Sequence, residues 1–350
     1  MRLYQVKICT KLTLAALAAL VLGAGVAMAQ EIRTGFSERR PLVAAACPTC
    51  PWGAVADILD QAMQSSGYDL EICYYCSGIP NPRYVAQGQR PPQRRADQMH
   101  LPLAPGAVPD MGVTNTHRLY WAYAGLHDYR GEAMPNLRAV ALIEHPMHVG
   151  VAVRADSFIT DLRQIRERRL PVRLIAREDP IISAILDYYG LDRASVESWG
   201  GKVLRGEPED RDNFDVIIQN QLYMANTPEA NIWSETTQNE RLRFLPLPDD
   251  LRRRMARDLN LELTALPPGL ARGVETPIAT VGRSGQVVYV RDDAPEDFVY
   301  ALTQAIHREA RRFIWSNMPL SYDLRTAARP LGVPLHPGAA RYYREQGVLP

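Results

Sequence analysis

The chain predicts an α/β protein built as two successive sheet-forming segments, with its C-terminal part returning to the first. Short apolar runs alternate with amphipathic helical runs from residue 41 to residue 124 and again from residue 172 to residue 259, the order that makes parallel sheets flanked by helices. Two apolar stretches, residues 137–143 and 149–153, lie between those runs, and Pro267-Pro268-Gly269 and Thr276-Pro277 punctuate a return to a late strand, residues 286–290. The length of 350 residues, 46% of them hydrophobic, supplies material for two cores.

The first segment reads as an export signal. Arg2, Lys7 and Lys11 form a charged start, Leu12 to Val26 an apolar middle, and Ala27-Met28-Ala29 a small-x-small cut, so the exported chain is expected to begin at Gln30 in the periplasm. Cys9 precedes the apolar stretch and is lost with it. No later apolar run is long enough to span a bilayer, so the exported chain is not expected to sit in the membrane. The chain holds 40 basic and 39 acidic residues; without the three N-terminal cations the balance is 37 against 39. That balance excludes the basic excess of a nucleic-acid binder and of a polybasic membrane-surface protein.

After a polar arm, residues 30–40, Pro41 to Ala46 reads as a buried strand running into Cys47-Pro48-Thr49-Cys50. Gly53 then opens a helix with apolar Ala54, Val55, Ile58, Leu59, Ala62 and Met63 on one face, closed by Gly67. A second strand, Tyr68 to Cys73, runs into Cys73-Tyr74-Tyr75-Cys76, so both cysteine pairs fall at carboxyl ends of strands, where open α/β sheets bind ligands. Ser77 to Asp110, rich in Pro, Gly, Arg and Gln with Arg90 to Arg95 at its centre, predicts a long irregular connection. Met111 to Thr114 is a strand leading through Asn115-Thr116 into a helix, residues 117–124.

In the second segment a polar helix is expected over 156–169, a strand over 172–176, a turn at Arg177 to Pro180 and a helix over 181–189 ended by Gly190. A buried strand over 213–219, a short helix over 222–225, a strand over 244–247 and an arginine-rich helix over 249–259 follow. The last strong helix has Asp293 as its expected cap, Pro295, Glu296 and Asp297 in its first turn, and a buried stripe of Phe298, Leu302, Ala305, Ile306 and Phe313.

The C-terminal run Val333-Pro-Leu-His-Pro-Gly-Ala-Ala-Arg-Tyr-Tyr-Arg-Glu345 closely resembles the signature of the TAXI family, the extracytoplasmic solute receptors of one class of tripartite (TRAP) transporters. Pro109 to Thr114, Asn136 to Leu142, His148 to Ser157, Leu266 to Gly269, Val274 to Pro277 and Ala294 to Tyr300 are similar to other stretches of that family, so the likeness covers residue 109 to the C-terminus and more loosely the rest. It implies the two-lobed periplasmic binding protein fold, two α/β domains joined by a two-crossover hinge. Residues 30–152 and 283–350 would form one lobe and 153–282 the other. It also implies a small-molecule ligand held between lobes, often a carboxylate such as glutamate, and a TRAP-type membrane permease as partner. The chain departs from the family at four ligand loops: Cys47 to Gly53, Cys76 to Arg83, Thr114 to Thr116 and Ala176 to Pro180.

Three chemistries fit Cys47, Cys50, Cys73 and Cys76. Structural disulfides suit an exported protein, and a bond between the two loops would close about 25 residues and contribute roughly 3–4 kcal/mol, more than two local bonds would. A four-thiolate site for zinc or copper is the second, and the only cofactor the sequence raises. Thiol–disulfide exchange is the third, because strand, Cys-x-x-Cys and helix follow one another. For the ligand, Trp52, Tyr74, Tyr75 and Tyr84 offer stacking faces, though the same rings serve equally as core. Ser77, Asn81 and Arg83 lie in the second cysteine loop, and Arg83 is a fork for a carboxylate or else a solvated surface arginine. Asn115 and Thr116 end a strand of the first segment, and Arg177 and Asn220 end strands of the second. His145 and His148, three apart on extended chain, point to opposite faces and read as structural, and His336 reads as architecture. No nucleophile elbow, zinc-protease pair or phosphate loop is present, and the resemblance implies a receptor and not an enzyme.

Overall fold

The structure, a computed structural model, describes residues 35–92, 103–104, 106–223, 231–316 and 318–350. The expected export signal with its cut near Ala29 lies outside them, as do residues 93–95 of the arginine-rich connection.

In the described residues the chain opens with strand β1 (Leu42–Ala44), helix α1 (Pro51–Met63), β2 (Glu71–Cys73), α2 (Pro80–Ala86), β3 (Met111–Asn115) and α3 (Thr116–Ala124). Helix α1 starts two residues before the expected Gly53, because Pro51 is already shaped for the first helical position and has no N–H to leave unsatisfied. Its Val55, Ile58, Leu59, Ala62 and Met63 are buried as the periodicity requires. The connection after Cys76 is not wholly irregular, since Pro80 begins α2 in the same way.

Residues 137–143 and 149–153 are not two strands but one, β4 (Leu137–Arg154), eighteen residues long. Pro146 survives inside it because the ladder is irregular there: on the β10 side the register shifts between Arg283 and Gly285. Then come α4 (Arg163–Arg168), β5 (Arg173–Ala176), α5 (Pro180–Tyr189), α6 (Arg193–Ser198), β6 (Lys202–Leu204) and β7 (Val216–Leu222). The helix expected over 156–169 shrinks to the six residues of α4. Leu222 belongs to β7 and not to a short helix, whose residues 224–225 lie outside the described set. The second half ends with α7 (Asn231–Asn239), β8 (Leu242–Phe244), α8 (Asp249–Leu259) and β9 (Glu262–Leu266). The late strand, β10 (Ile278–Arg291), is fourteen residues long and begins well before Gln286. Helices α9 (Glu296–Arg308), α10 (Ala310–Ile314), α11 (Leu324–Ala327) and α12 (Pro337–Glu345) complete the chain. Pro295, not Asp293, caps α9; Asp293 instead pairs with Arg291 at 3.0 Å.

The strands pair in the order β2-β1-β3-β10-β4-β7-β5-β6, with β8 on β4 and β9 on β10. Strands β1, β2 and β3 are mutually parallel at one end, and β5, β6 and β7 at the other. The long antiparallel pair β4 and β10 belongs to both. This is the two-lobed α/β architecture with two crossings: each parallel set has its own helices, and two continuous strands join them. On one face of the first set, α1 and α9 pack Leu59 and Met63 against Phe298, Leu302 and Ile306, with Tyr343 of α12 donating to the Val140 carbonyl at 3.0 Å. His336 is architecture as expected, its Nδ1 accepting the Gly338 N–H at 3.2 Å at the start of α12.

Candidate functional site

Parallel strands from both halves point their carboxyl ends at the middle of the molecule, so the loops after β1, β2 and β3 face those after β5 and β7 beside the β4–β10 pair. A cavity of about 320 Å³ lies there. Its first-half wall carries Cys47, Cys50, Trp52, Tyr74, Tyr75, Ser77 and Asn115; its floor carries Arg118 from α3, Met147 from β4, and Arg283 and Gln286 from β10; Gln221 and Tyr223 close it from the second half. Trp52 donates its indole N–H to Asn115 Oδ1 at 3.3 Å and so ties the first loop to the third.

Arg283 dominates the floor. It is 7% exposed, and its Nε and Nη2 donate to the thioether sulfur of Met147 at 3.1 and 2.8 Å. Among the described residues it has no carboxylate within ion-pair distance. Burial pulls its pKa down to about 10. A thioether is a weak acceptor, so this guanidinium is desolvated with no direct ion pair, Asp179 acting on it only through the field. Arg118 is better provided, pairing with Asp128 at 3.3 Å, but its Nε is buried without a partner.

Around these cations lie polar atoms with no hydrogen-bond partner among the described residues. Gln286 gives its amide N–H to His145 Nδ1 at 3.1 Å and leaves Oε1 unmatched; His145 Nε2, His117 Nδ1, Thr114 Oγ1 and Ser284 Oγ are likewise buried and unmatched. Burial lowers the His145 pKa to about 3, with Arg283 adding to the effect, and holds His117 well below the ordinary histidine value for the same reasons. Such a concentration of unmatched groups marks a place where a solute or ordered water completes the bonding.

Of the residues singled out from sequence, Cys47, Cys50, Trp52, Tyr74, Tyr75, Ser77 and Asn115 share this cavity. Arg177 and Asn220 line a second cavity of about 200 Å³ with Asp179, Arg211 and Gln219, and Gln221, at φ 62°, belongs to both. Asn81, Arg83 and Thr116 stand apart. Asn81 is wholly buried, donating to the Cys76 carbonyl at 2.6 Å and accepting from the Tyr289 hydroxyl at 2.7 Å. Arg83 is spent on Glu132 at 2.7 Å, on the Asp128 carbonyl at 3.0 Å and on the face of Tyr129. Thr116 is buried as the first residue of α3. Of the other rings offered for stacking, Tyr84 packs on the core.

The cysteines divide. Cys73 and Cys76 form a disulfide within their own pair, while Cys47 and Cys50 remain thiols. No disulfide joins the two loops, and the Cys73–Cys76 bond leaves the thiols of Cys47 and Cys50 on the first loop. Among the described residues, no three histidine, cysteine or acidic side chains converge as a metal set.

Sequence reasoning missed Arg118, Met147, Arg283 and Gln286. The available signal was a lone arginine and a glutamine inside the apolar run Ile278 to Val290, beside glycines that let strands approach closely.

The chain belongs to the NMT1-like family, whose model matches residues 102–347. Solved structures similar to it include the malate-bound MatC protein of Rhodopseudomonas palustris, at 13% identity over 88% of this chain and 95% of the other, with a TM-score of 0.44. A TctC solute-binding protein from Polaromonas is 12% identical over 89% of this chain and 98% of the other, with a TM-score of 0.43. A chloride-bound protein of Xanthomonas citri is 13% identical over 89% and 97%, also at 0.43. Among the described residues no helix is long and apolar enough to cross a membrane.

Proposed function

We propose that this NMT1-like protein is an exported solute receptor that takes a small carboxylate into the cavity between its two halves and presents it to a membrane permease of the TRAP type, in the manner of the TAXI receptors its C-terminus resembles. The observation that carries this reading is Arg283, a buried guanidinium whose nearest acceptor is a thioether. A carboxylate on the cavity floor would supply the missing counter-charge and a two-point hydrogen bond. Arg118 adds positive potential, Asn115 and Ser77 offer polar contacts, and Trp52 and Tyr75 supply apolar wall. A cavity of about 320 Å³ fits a ligand of a few to a dozen heavy atoms. Groups from both halves meet there, so a bound solute would favour a closed arrangement. Capture needs no catalytic group, and the reading is of a binding protein and not an enzyme.

The test is a thermal-shift and calorimetric panel on the purified exported protein, with malate, succinate, glutamate, citrate and acetate set against glycine betaine and neutral sugars. Saturable binding of a carboxylate by the wild type and at least tenfold weaker binding by Arg283→Met is expected. Binding confined to neutral or cationic solutes, or carboxylate binding untouched by Arg283→Met, would sink the proposal.

A further inference from the structure

The two cysteine pairs close the same turn but differ in state. In the second, the Cys76 N–H donates to the Cys73 carbonyl at 3.3 Å, and the sulfurs are bonded across Cα atoms 5.5 Å apart. In the first, the Cys50 N–H donates to the Cys47 carbonyl at 3.2 Å, yet both side chains are thiols and the Cys50 thiol reaches the Cys47 carbonyl at 2.8 Å. A hydrogen-bonded four-residue turn holds its end Cα atoms within about 7 Å, at the span a disulfide bridges, so side-chain rotation closes the first pair without unfolding α1. Access differs as well. Cys47 is partly exposed on the cavity wall, Cys50 is 2% exposed behind it, and Cys73 and Cys76 are fully buried.

We propose that Cys47 and Cys50 form a thiol–disulfide exchange site on the cavity wall, taking a small organic disulfide as its substrate. Cys47, as its thiolate, attacks one sulfur of the disulfide RSSR. That S–S bond breaks, a Cys47–SR bond forms, and the departing RS⁻ is protonated. Cys50 then loses its proton and attacks the Cys47 sulfur, forming Cys47–Cys50 and expelling the second RS⁻ as RSH. Two electrons pass to RSSR, and the two thiol protons end on two RSH. The accessible sulfur makes the first attack and the buried one resolves it, while the closed Cys73–Cys76 bond beneath is out of reach. The site stands on the turn and on access, independently of the solute reading.

The experiment uses cystine as the disulfide and the full exported protein after limited reduction with dithiothreitol. Thiols are labelled with N-ethylmaleimide and located by peptide mass spectrometry. Before cystine, one label is expected on each of Cys47 and Cys50, with the Cys73–Cys76 peptide still bonded. After cystine, both labels disappear, a Cys47–Cys50 peptide appears and two cysteines are released per chain. Cys50→Ser should keep a half-cystine adduct on Cys47, and Cys47→Ser should take none on Cys50. The wild-type result decides the matter even if a variant misfolds. Thiols still labelled after cystine, a bond from Cys47 or Cys50 to Cys73 or Cys76, or Cys73–Cys76 opening before Cys47–Cys50 would each overturn the proposal.

Discussion

Arg283 shows how one residue can be costly in the free protein and useful in the complex. Its charge is buried against a sulfur and its pKa is pulled down to about 10, with Asp179 opposing burial only in part, so the fold carries a desolvation cost that a bound anion would relieve. Replacing it with methionine keeps length and removes the charge. Arg283→Met should therefore raise the stability of the ligand-free protein, by about 1 kcal/mol or more, while abolishing any carboxylate-induced rise in Tm. Urea unfolding with and without ligand checks both halves, and a variant less stable than wild type would show the guanidinium to be a structural prop. This residue was hard to see in sequence because an apolar strand conceals which of its members faces a cavity. Asn81 and Arg83 were misplaced for the opposite cause. Their loop looked open, but α2 folds across it and turns Asn81 inward onto the Cys76 carbonyl and the Tyr289 hydroxyl. Trp52 and Asn115 were legible because strand ends fix their location whatever the loop does.

At the scale of the element, local sequence rules caught some helix ends, missed others such as the cap of α9 and the start of α4, and read strand lengths poorly. The expected turn at Arg177 to Pro180 runs straight into α5, whose N-cap Asp179 accepts the Ile181 N–H at 2.8 Å through its carboxylate. Asp179→Ala should cost about 1 kcal/mol, read as a lower urea midpoint with unchanged m-value, and Asp179→Asn should recover most of it. The long strands β4 and β10 were legible only in fragments, because Pro146 and the glycines at 282 and 285 interrupt the apolar pattern. Those glycines are what let the strands meet. A β-carbon on Gly285 would stand 2.1 Å from the Ile143 carbonyl oxygen and 2.6 Å from the His145 nitrogen, both backbone atoms that cannot yield cheaply. Gly285→Ala should destabilise by about 1–3 kcal/mol or more and weaken solute binding with it, since Arg283 and Gln286 flank the bulge. A fully stable Gly285→Ala protein would mean that the two strands shift freely at this point.

For the whole molecule, the fold class was legible because alternation of strands and helices, and the return after Thr276-Pro277, are long-range patterns that survive local errors. What the sequence did not reveal is the chemistry of the centre, where His145 meets Gln286 of the cavity floor and His117 lies in the field of Arg283 and Arg118. Burial lowers the pKa of His117, His145, His148 and, away from the cavity, His336, with His145 at about 3. Unfolded, each would titrate near 6.5. Their stabilising effect is thus complete well above pH 6.5 and is lost as pH falls below it, because the unfolded chain takes up protons that the folded chain refuses. Asp110 works against this. Burial raises its pKa to about 6 while it accepts the Leu42 N–H at 2.9 Å, so the folded state gains as pH drops from 6 toward 4. Burial also raises Asp57 and Asp60. The carboxylates held low by arginine or backbone partners, such as Asp323 at about 2, lose their contribution only below pH 4 and leave the window from 7 to 5 to the histidines and the raised acids. Histidine uptake begins first, so stability should fall between pH 7 and 6, by up to about 1.4 kcal/mol per pH unit for each histidine. Below pH 6 the histidine uptake reaches its full slope, and Asp110, protonating near 6, offsets about one histidine's share of the decline. His145→Gln, which keeps a partner for Gln286, should flatten that first decline by about a quarter. Urea midpoints measured every half unit from pH 7.5 to 5 would show it, and an unchanged slope in His145→Gln would mean that His145 is charged in the native state and already has an anion beside it.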